Sequence, residues 1–245
     1  MEPFIVGGSY AKIEDFAHAA FLAISCDRDT GTEHFSCGAS VVNQIIILTA
    51  AHCLEDCLAT SSVLVAVGVV NKRGPFTHEV SHFVIHPQYD SELVSNDIAL
   101  AALTEPLKLN HRVKRVVIME DPPYQEISSV AGWGVVDEEQ GTAGKYLKEA
   151  KQMYVNRRKC SKILKMLNKG TFCVSGIHKM KNYGYAASGD SGSAIVVRGY
   201  IQIGLVSYKI PQYSTSVIGA TDVGYYYEWV MINAEDLFCQ SKEEK

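Results

Sequence analysis

The sequence predicts an all-β fold. Short apolar runs rich in β-branched residues recur along it, turn-forming residues separate those runs at regular intervals, and 245 residues suffice to bury a substantial core without a structural metal. Taken in order, the strand candidates are residues 21–26, 40–49, 63–70, 82–86, 98–103, 128–131, 194–197 and 202–207. Such runs suit a barrel or a sandwich, as one large domain or two small ones. Two segments have a helical period instead. Residues 157–167 repeat Ile163, Leu164 and Leu167 at helical spacing, and residues 225–237 set Trp229, Val230, Ile232 and Leu237 on one side of a packing helix. The charged tail from Gln240 to Lys245 is expected to fray.

Composition narrows the function classes. A formal net charge of -4 with both signs interspersed gives no nucleic-acid footprint. The longest basic run, Asn156-Arg157-Arg158-Lys159, reads as a solvated loop. No apolar stretch approaches the roughly 18 residues needed to span a bilayer, so a soluble chain with no membrane partner is expected. Residues 1–4 contain no hydrophobic signal region, so a secreted protein would have lost its signal from this sequence. The seven cysteines could be free thiols, metal ligands or disulfides; without a Cys-x-x-Cys pair, disulfides are favoured. The eight histidines need no metal, and His18, His34, His78, His82, His86, His111 and His178 read as surface or structural.

Chemistry is concentrated in Ala187-Ser188-Gly189-Asp190-Ser191-Gly192-Ser193. The glycines let the backbone bend and approach a substrate, and the amides of Gly189 and Ser191 can converge on a carbonyl oxygen as an oxyanion hole. Alone, such a string is as consistent with a plain turn. A serine hydroxyl also needs a base, itself held by a buried carboxylate. His52 lies where an apolar run ends, in Leu48-Thr49-Ala50-Ala51-His52-Cys53, and Asp97 opens the run Ile98-Ala99-Leu100.

The order His52, Asp97, Ser191, with Ile5-Val6-Gly7-Gly8 near the start and Gly132-Trp133-Gly134 between, resembles the trypsin and chymotrypsin family of serine peptidases, from residue 5 to about residue 229. The departures noted below suggest an insect-type secreted member. The resemblance implies two six-stranded Greek-key β-barrels with a C-terminal α-helix. Residues 5–111 would form the N-terminal barrel region with His52 and Asp97, and residues 112–245 the C-terminal one with Ser191, linked by a crossover near residues 109–117. It implies the triad His52, Asp97, Ser191, and an oxyanion hole of the Gly189 and Ser191 amides. It also implies a zymogen in which cleavage before Ile5 frees an amine to pair with Asp190. Phe4 stands where relatives carry Arg or Lys, so residues 1–4 are read as an expression start or an activation-peptide remnant. Cys37 with Cys53 and Cys160 with Cys173 match family bridges, Cys26 with Cys57 is expected as a third, and Cys239 is left over. Three bridges imply an oxidising, extracellular compartment.

The family's specificity pocket carries over to Tyr185 at its floor and to Lys209 and Ile218 at its walls, with Ser188, Ser207 and Tyr208 bordering the substrate strand. No carboxylate stands at the floor, so trypsin-like specificity is excluded and small or apolar P1 residues are favoured. Ala187 replaces a cysteine of the pocket's bridge, and Ser193-Ala194 replaces a Gly-Pro. Residues 69–77, where some relatives bind calcium, hold no acidic side chain, so neither metal nor cofactor is expected. The partners implied are a protein or peptide substrate, an activating protease and protein inhibitors, acting on a monomer. The competing reading is a binding or regulatory protein on a protease scaffold whose pocket is closed.

Overall fold

The structure, a computed structural model, describes residues 5–137, 140, 142–165 and 167–243. After β1 (Val6–Gly7) and β2 (Ser9–Tyr10) come six strands: β3 (Ala19–Arg28), β4 (Gly31–Val41), β5 (Ile46–Thr49), β6 (Ser62–Val67), β7 (His78–Ile85) and β8 (Ala99–Leu103). They close in the order β3-β4-β5-β8-β7-β6. β5 and β8 are buried along their whole length, and the three alanines of β8 keep the barrel wall thin where β5 and β7 flank it. Leu22, Ile24, Val41, Ile47 and Val65 fill this barrel. Each large aliphatic side chain buried this way contributes about 1.5–3 kcal/mol.

The remaining strands are β9 (Val117–Ile118), β10 (Ser128–Gly132), β11 (Val135–Asp137), β12 (Thr142–Ala143), β13 (Lys148–Val155), β14 (Thr171–Gly176), β15 (Gly184–Tyr185), β16 (Ala194–Val197), β17 (Ile201–Tyr208) and β18 (Val217–Asp222). The path β10-β16-β17-β18-β14-β13 is closed by pairing of β13 with β10, which makes a second six-stranded antiparallel barrel. Val130, Phe172, Val174, Ile195 and Ile203 fill it. β2 adds to its edge, and β9 pairs in parallel with β17. A helix α1 (Arg157–Leu164) is bound to β14 by the Cys160–Cys173 disulfide, and α2 (Tyr227–Glu243) sets Val230 and Leu237 against Ile46, Leu48 and Leu100 of the first barrel. Cys26–Cys57 and Cys37–Cys53 are also bonded, and Cys239 is an exposed free thiol.

Several sequence expectations change. Residues 40–49 form the end of β4 and all of β5, because the side-chain carbonyl of Asn43 accepts from the amides of Ile45 and Ile46, both at 2.8 Å, and turns the chain. Asn156 to Lys159 is a helix start and not a loop: Asn156 accepts from the Lys159 amide at 2.9 Å as N-cap. That helix stops at Leu164, where Lys165 takes φ +60°. The C-terminal helix runs on through Gln240 to Glu243, and Ile232 is 60% exposed on its outer face, apart from buried Val230 and Leu237. β13, β14 and β18 were not predicted. In β13 the charged residues hide the pattern: Lys148 lies inside and donates to the Gly7 carbonyl at 2.7 Å, while buried Gln152 donates to Gly184 at 3.0 Å.

Candidate active site

β5 ends at Thr49, and the chain makes one tight turn through Ala51–Cys53 that carries His52 at its middle. The Cys37–Cys53 bridge ties that turn to β4. Cys37, His52 and Cys53 lie close together, but the disulfide consumes both thiols, so the cluster is no metal site. The Nδ1 of His52 is 2.9 Å from Oδ2 of Asp97, and the His52 amide donates to Oδ1 at 3.0 Å. Since an ionised carboxylate only accepts, Nδ1 carries the proton and Nε2 is left basic.

Asp97 is 1% exposed at the entrance to β8. The second barrel reaches across to hold it: the Ser207 hydroxyl donates to Oδ2, and the Thr221 hydroxyl donates to the Asp97 carbonyl at 2.8 Å. Burial pushes the Asp97 carboxyl up, but its hydrogen bond with His52, the imidazole charge and the Ser207 bond outweigh that and hold it below the usual carboxylate range. For His52, burial pulls the imidazole down, whereas the bond to Asp97 and the charges of Asp97 and Glu55 raise it further, so it ends above its ordinary value. Together these shifts describe an imidazole whose cationic form is stabilised by a carboxylate that stays ionised to lower pH than usual.

Ser191 comes from the other barrel, on a turn fastened at several points. Its carbonyl accepts from the Gly38 amide at 2.7 Å, and the Gly192 amide donates to Val206 at 2.8 Å. A side chain on Gly192 would sit 2.3 Å from the Thr49 hydroxyl and 2.4 Å from the Gly38 carbonyl, at φ +77°. Only glycine permits that approach. The Ser191 turn is therefore clamped against Thr49 and Ala50, directly before His52, and both Ser191 and His52 are half-buried. Gly189 takes φ +87° beside Gly134.

Asp190 is fully buried. Its Oδ1 accepts from the Gly134 amide at 2.8 Å and its Oδ2 from the Ala187 amide at 3.0 Å. Burial pushes its carboxyl up to about 6, against the opposing pull of those amides and of Lys209 and Lys72. Ile5 is 1% exposed in the second core, and β1 pairs with β15. In this sequence Ile5 is joined to Phe4, so its nitrogen is an amide.

Among the pocket residues, Ser188 is exposed, Ser207 is buried, and Tyr185, Tyr208 and Lys209 are half-buried. The Lys209 ammonium lies 5.2 Å from the centroid of the Tyr185 ring. Ile218, which the sequence reads as a bulky pocket wall, is 2% exposed in the second core. The Tyr208 ring lies over Gly219, and burial pushes its hydroxyl up to about 12. Sequence reasoning missed Gly38 and Thr221, and held Gly134 only as part of a motif with no role at the site. Gly38 follows a bridging cysteine and Gly134 flanks Trp133, which marks both as backbone-approach points; Thr221 carries no such signal.

Two antiparallel barrels, an imidazole–carboxylate pair on the first and a glycine-bracketed serine turn of the second packed against Thr49 and Ala50, define the chymotrypsin-like class of folds. The sequence pattern described as Trypsin matches residues 5–230, and the chain belongs to that family of serine proteases. It is 32% identical to hypodermin-B of Hypoderma lineatum over 94% of this chain and 88% of that protein. With a chymotrypsin of Phaedon cochleariae it shares 27% identity over 94% of this chain and 82% of the relative. Among solved structures, HL collagenase superposes with a TM-score of 0.78 at 22% identity, covering 93% of this chain and 97% of the other. The scabies mite inactivated protease paralogue S-D1 has a TM-score of 0.77 at 22% identity, covering 96% and 98%.

Proposed function

We propose that this protein is a secreted serine endopeptidase in which His52, Asp97 and Ser191 act as the triad. The observation that carries the reading is the short His52–Asp97 pair on the first barrel, with the Ser191 turn of the second clamped to the residues just before His52. In the reaction His52 Nε2 takes the proton of the Ser191 hydroxyl as Oγ attacks the substrate carbonyl. The Gly189 and Ser191 amides receive the charge that develops on the carbonyl oxygen. His52 then passes the proton to the leaving amine, and water activated by the same imidazole hydrolyses the acyl-enzyme. Asp97 keeps the imidazole in the productive tautomer and stabilises its charged form; these roles are carried over from the family template.

The protein is made as a zymogen, and cleavage before Ile5 by an activating protease strengthens the hold on Asp190. Three disulfides fit an extracellular, oxidising destination, and protein inhibitors of serine peptidases would meet the enzyme there. No helix among the described residues is long and apolar enough to cross a membrane. The unit is read as a monomer. Specificity is for small or apolar P1 residues, because Tyr185, with the Lys209 ammonium held near its ring, takes up the floor and leaves a shallow slot where a deep pocket would be.

The same shallow slot favours one second reading, a binding or regulatory protein with weak or no turnover. A peptide-library digest by protein trimmed to begin at Ile5, with Ser191→Ala as control, separates the two. The enzyme reading predicts cleavage after small or apolar residues that disappears in the variant. Absence of cleavage by the trimmed protein supports the binding protein, and cleavage after Lys or Arg removes the specificity claim.

A further inference from the structure

The Asp190 carboxylate is fully buried while Ile5 is still amide-linked to Phe4, so the cation that the family obtains by cleavage is not supplied by Ile5. A buried carboxylate needs compensation from hydrogen bonds or a cation. One compensating path runs through a single peptide group. The N–H of Gly134 donates to Asp190 Oδ1 at 2.8 Å, and the carbonyl of that same peptide, Trp133 O, accepts from the Lys72 ammonium at 3.4 Å. Lys72 thus polarises the peptide whose N–H holds the carboxylate, and hydrogen bonds chained in this way strengthen one another.

Lys72 is itself held in place. Its amide donates to Lys145 at 3.0 Å, the Trp133 indole donates to the Val70 carbonyl at 2.8 Å, and the ammonium lies 5.5 Å from the Phe21 ring centroid. Burial, helped by the charge of Arg73, holds the ammonium below its ordinary value, and the Asp190 charge acts against them. The charge of Lys209 also reaches Asp190, ahead of that of Lys72, but the path through the Trp133–Gly134 peptide belongs to Lys72. The N-terminal segment is also docked already: Ile5 is in the core, and the Gly8 amide donates to Tyr183 at 2.9 Å.

We propose that Lys72 is a positioning residue that keeps Asp190 ionised and the Gly189–Ser191 turn in its working conformation before Ile5 is freed, so that the uncut chain already has a reactive Ser191. The proposal rests on the peptidase reading. It makes cleavage a gain in activity over a working basal state, with Lys72 setting the basal level.

The test compares fluorophosphonate labelling rates of the uncut chain and of chain trimmed to Ile5, each as wild type, Lys72→Met and Lys72→Arg. Wild-type uncut chain labels measurably. In Lys72→Met the ratio of trimmed to uncut rate rises at least about tenfold, a typical size for coupling between two such groups, and Lys72→Arg restores most of it. An equal loss in both forms, or no loss in the uncut form, overturns the proposal, and so does an uncut wild type that is inert while the trimmed form labels. If trimmed wild type fails to label, the peptidase reading falls, and the role of Lys72 is then read from stability alone. Because the folded Asp190 carboxyl is raised above its unfolded value, the stability that Asp190 contributes falls as pH rises from about 4 towards 6. The urea midpoint of uncut Lys72→Met falls more steeply over that window than wild type; parallel curves overturn the proposal.

Discussion

Gly192→Ala perturbs the contact that joins the two barrels at the site. An alanine there must take φ +77°, which costs an L-residue about 1–2 kcal/mol. Its Cβ would also meet the Gly38 carbonyl at 2.4 Å, and 3.4 Å is where ordinary contact begins. Gly38 is backbone whose own amide holds Ser191, so the conflict is relieved by the Ser191 turn backing away from Thr49 by about 1 Å. Overpacking adds about 1–3 kcal/mol, for a total loss of about 2–5 kcal/mol. A shift of that size slows a positioned nucleophile by about 100-fold. Gly199→Ala is the control, since Gly199 has φ +80° with nothing within 4 Å of an added Cβ. It pays only the backbone term, about 1–2 kcal/mol, and labels at the wild-type rate. Urea denaturation and stopped-flow fluorophosphonate labelling of the trimmed protein measure both quantities. If Gly192→Ala labels as fast as Gly199→Ala, the clamp does not position Ser191 and the reasoning fails.

Three further predictions concern the first barrel's side of the site. Activity requires neutral His52, so kcat/KM rises with pH through an inflection above the ordinary imidazole value; in Asp97→Asn the inflection moves down, because burial remains and the carboxylate charge is gone. An unmoved inflection would contradict the pairing. Ser207→Ala removes one hydrogen bond to the buried Asp97 carboxylate and lowers stability at pH 7 by about 1.5–3 kcal/mol. Since Asp97 is depressed on folding, its contribution is present above the unfolded value and is lost as pH falls through the folded one, so the deficit shrinks in acid; a pH-independent deficit in urea titrations would refute this. Replacing Cys26 and Cys57 together by serine opens a crosslink spanning 31 residues and costs about 3–4 kcal/mol without slowing Ser191 labelling, whereas the same change at Cys37 and Cys53 also slows it, because that bridge fixes the turn of His52. Equal labelling by the two double variants would disprove the distinction.

The barrel strands with apolar runs were readable because β5, β8, β16 and β17 are buried almost throughout and show as mostly hydrophobic stretches. β13 was not, since its inward positions include Lys148 and Gln152, whose side-chain nitrogens donate to backbone carbonyls distant in the chain. Each of His52, Asp97 and Ser191 stood in a local setting that marked it: the end of an apolar run, the start of another, a glycine-bracketed turn. What surrounds them was not local. Thr221 and Ser207 bind Asp97 across more than a hundred residues, and Lys72 meets the Trp133–Gly134 peptide across 61. Depth was not legible for a related reason: spacing reads Ile218 as a pocket wall, and only its packing with Phe172 and Val174 shows how far inside the second barrel it lies.

Most direct of all is mass-spectrometric mapping of the fluorophosphonate adduct on protein trimmed to Ile5, alone and as His52→Ala. A single adduct on Ser191, formed at least about a thousandfold more slowly without the imidazole, is the predicted result. An adduct on another residue, or one on Ser191 whose rate ignores His52, would mean that the two barrels do not assemble a nucleophile and its base.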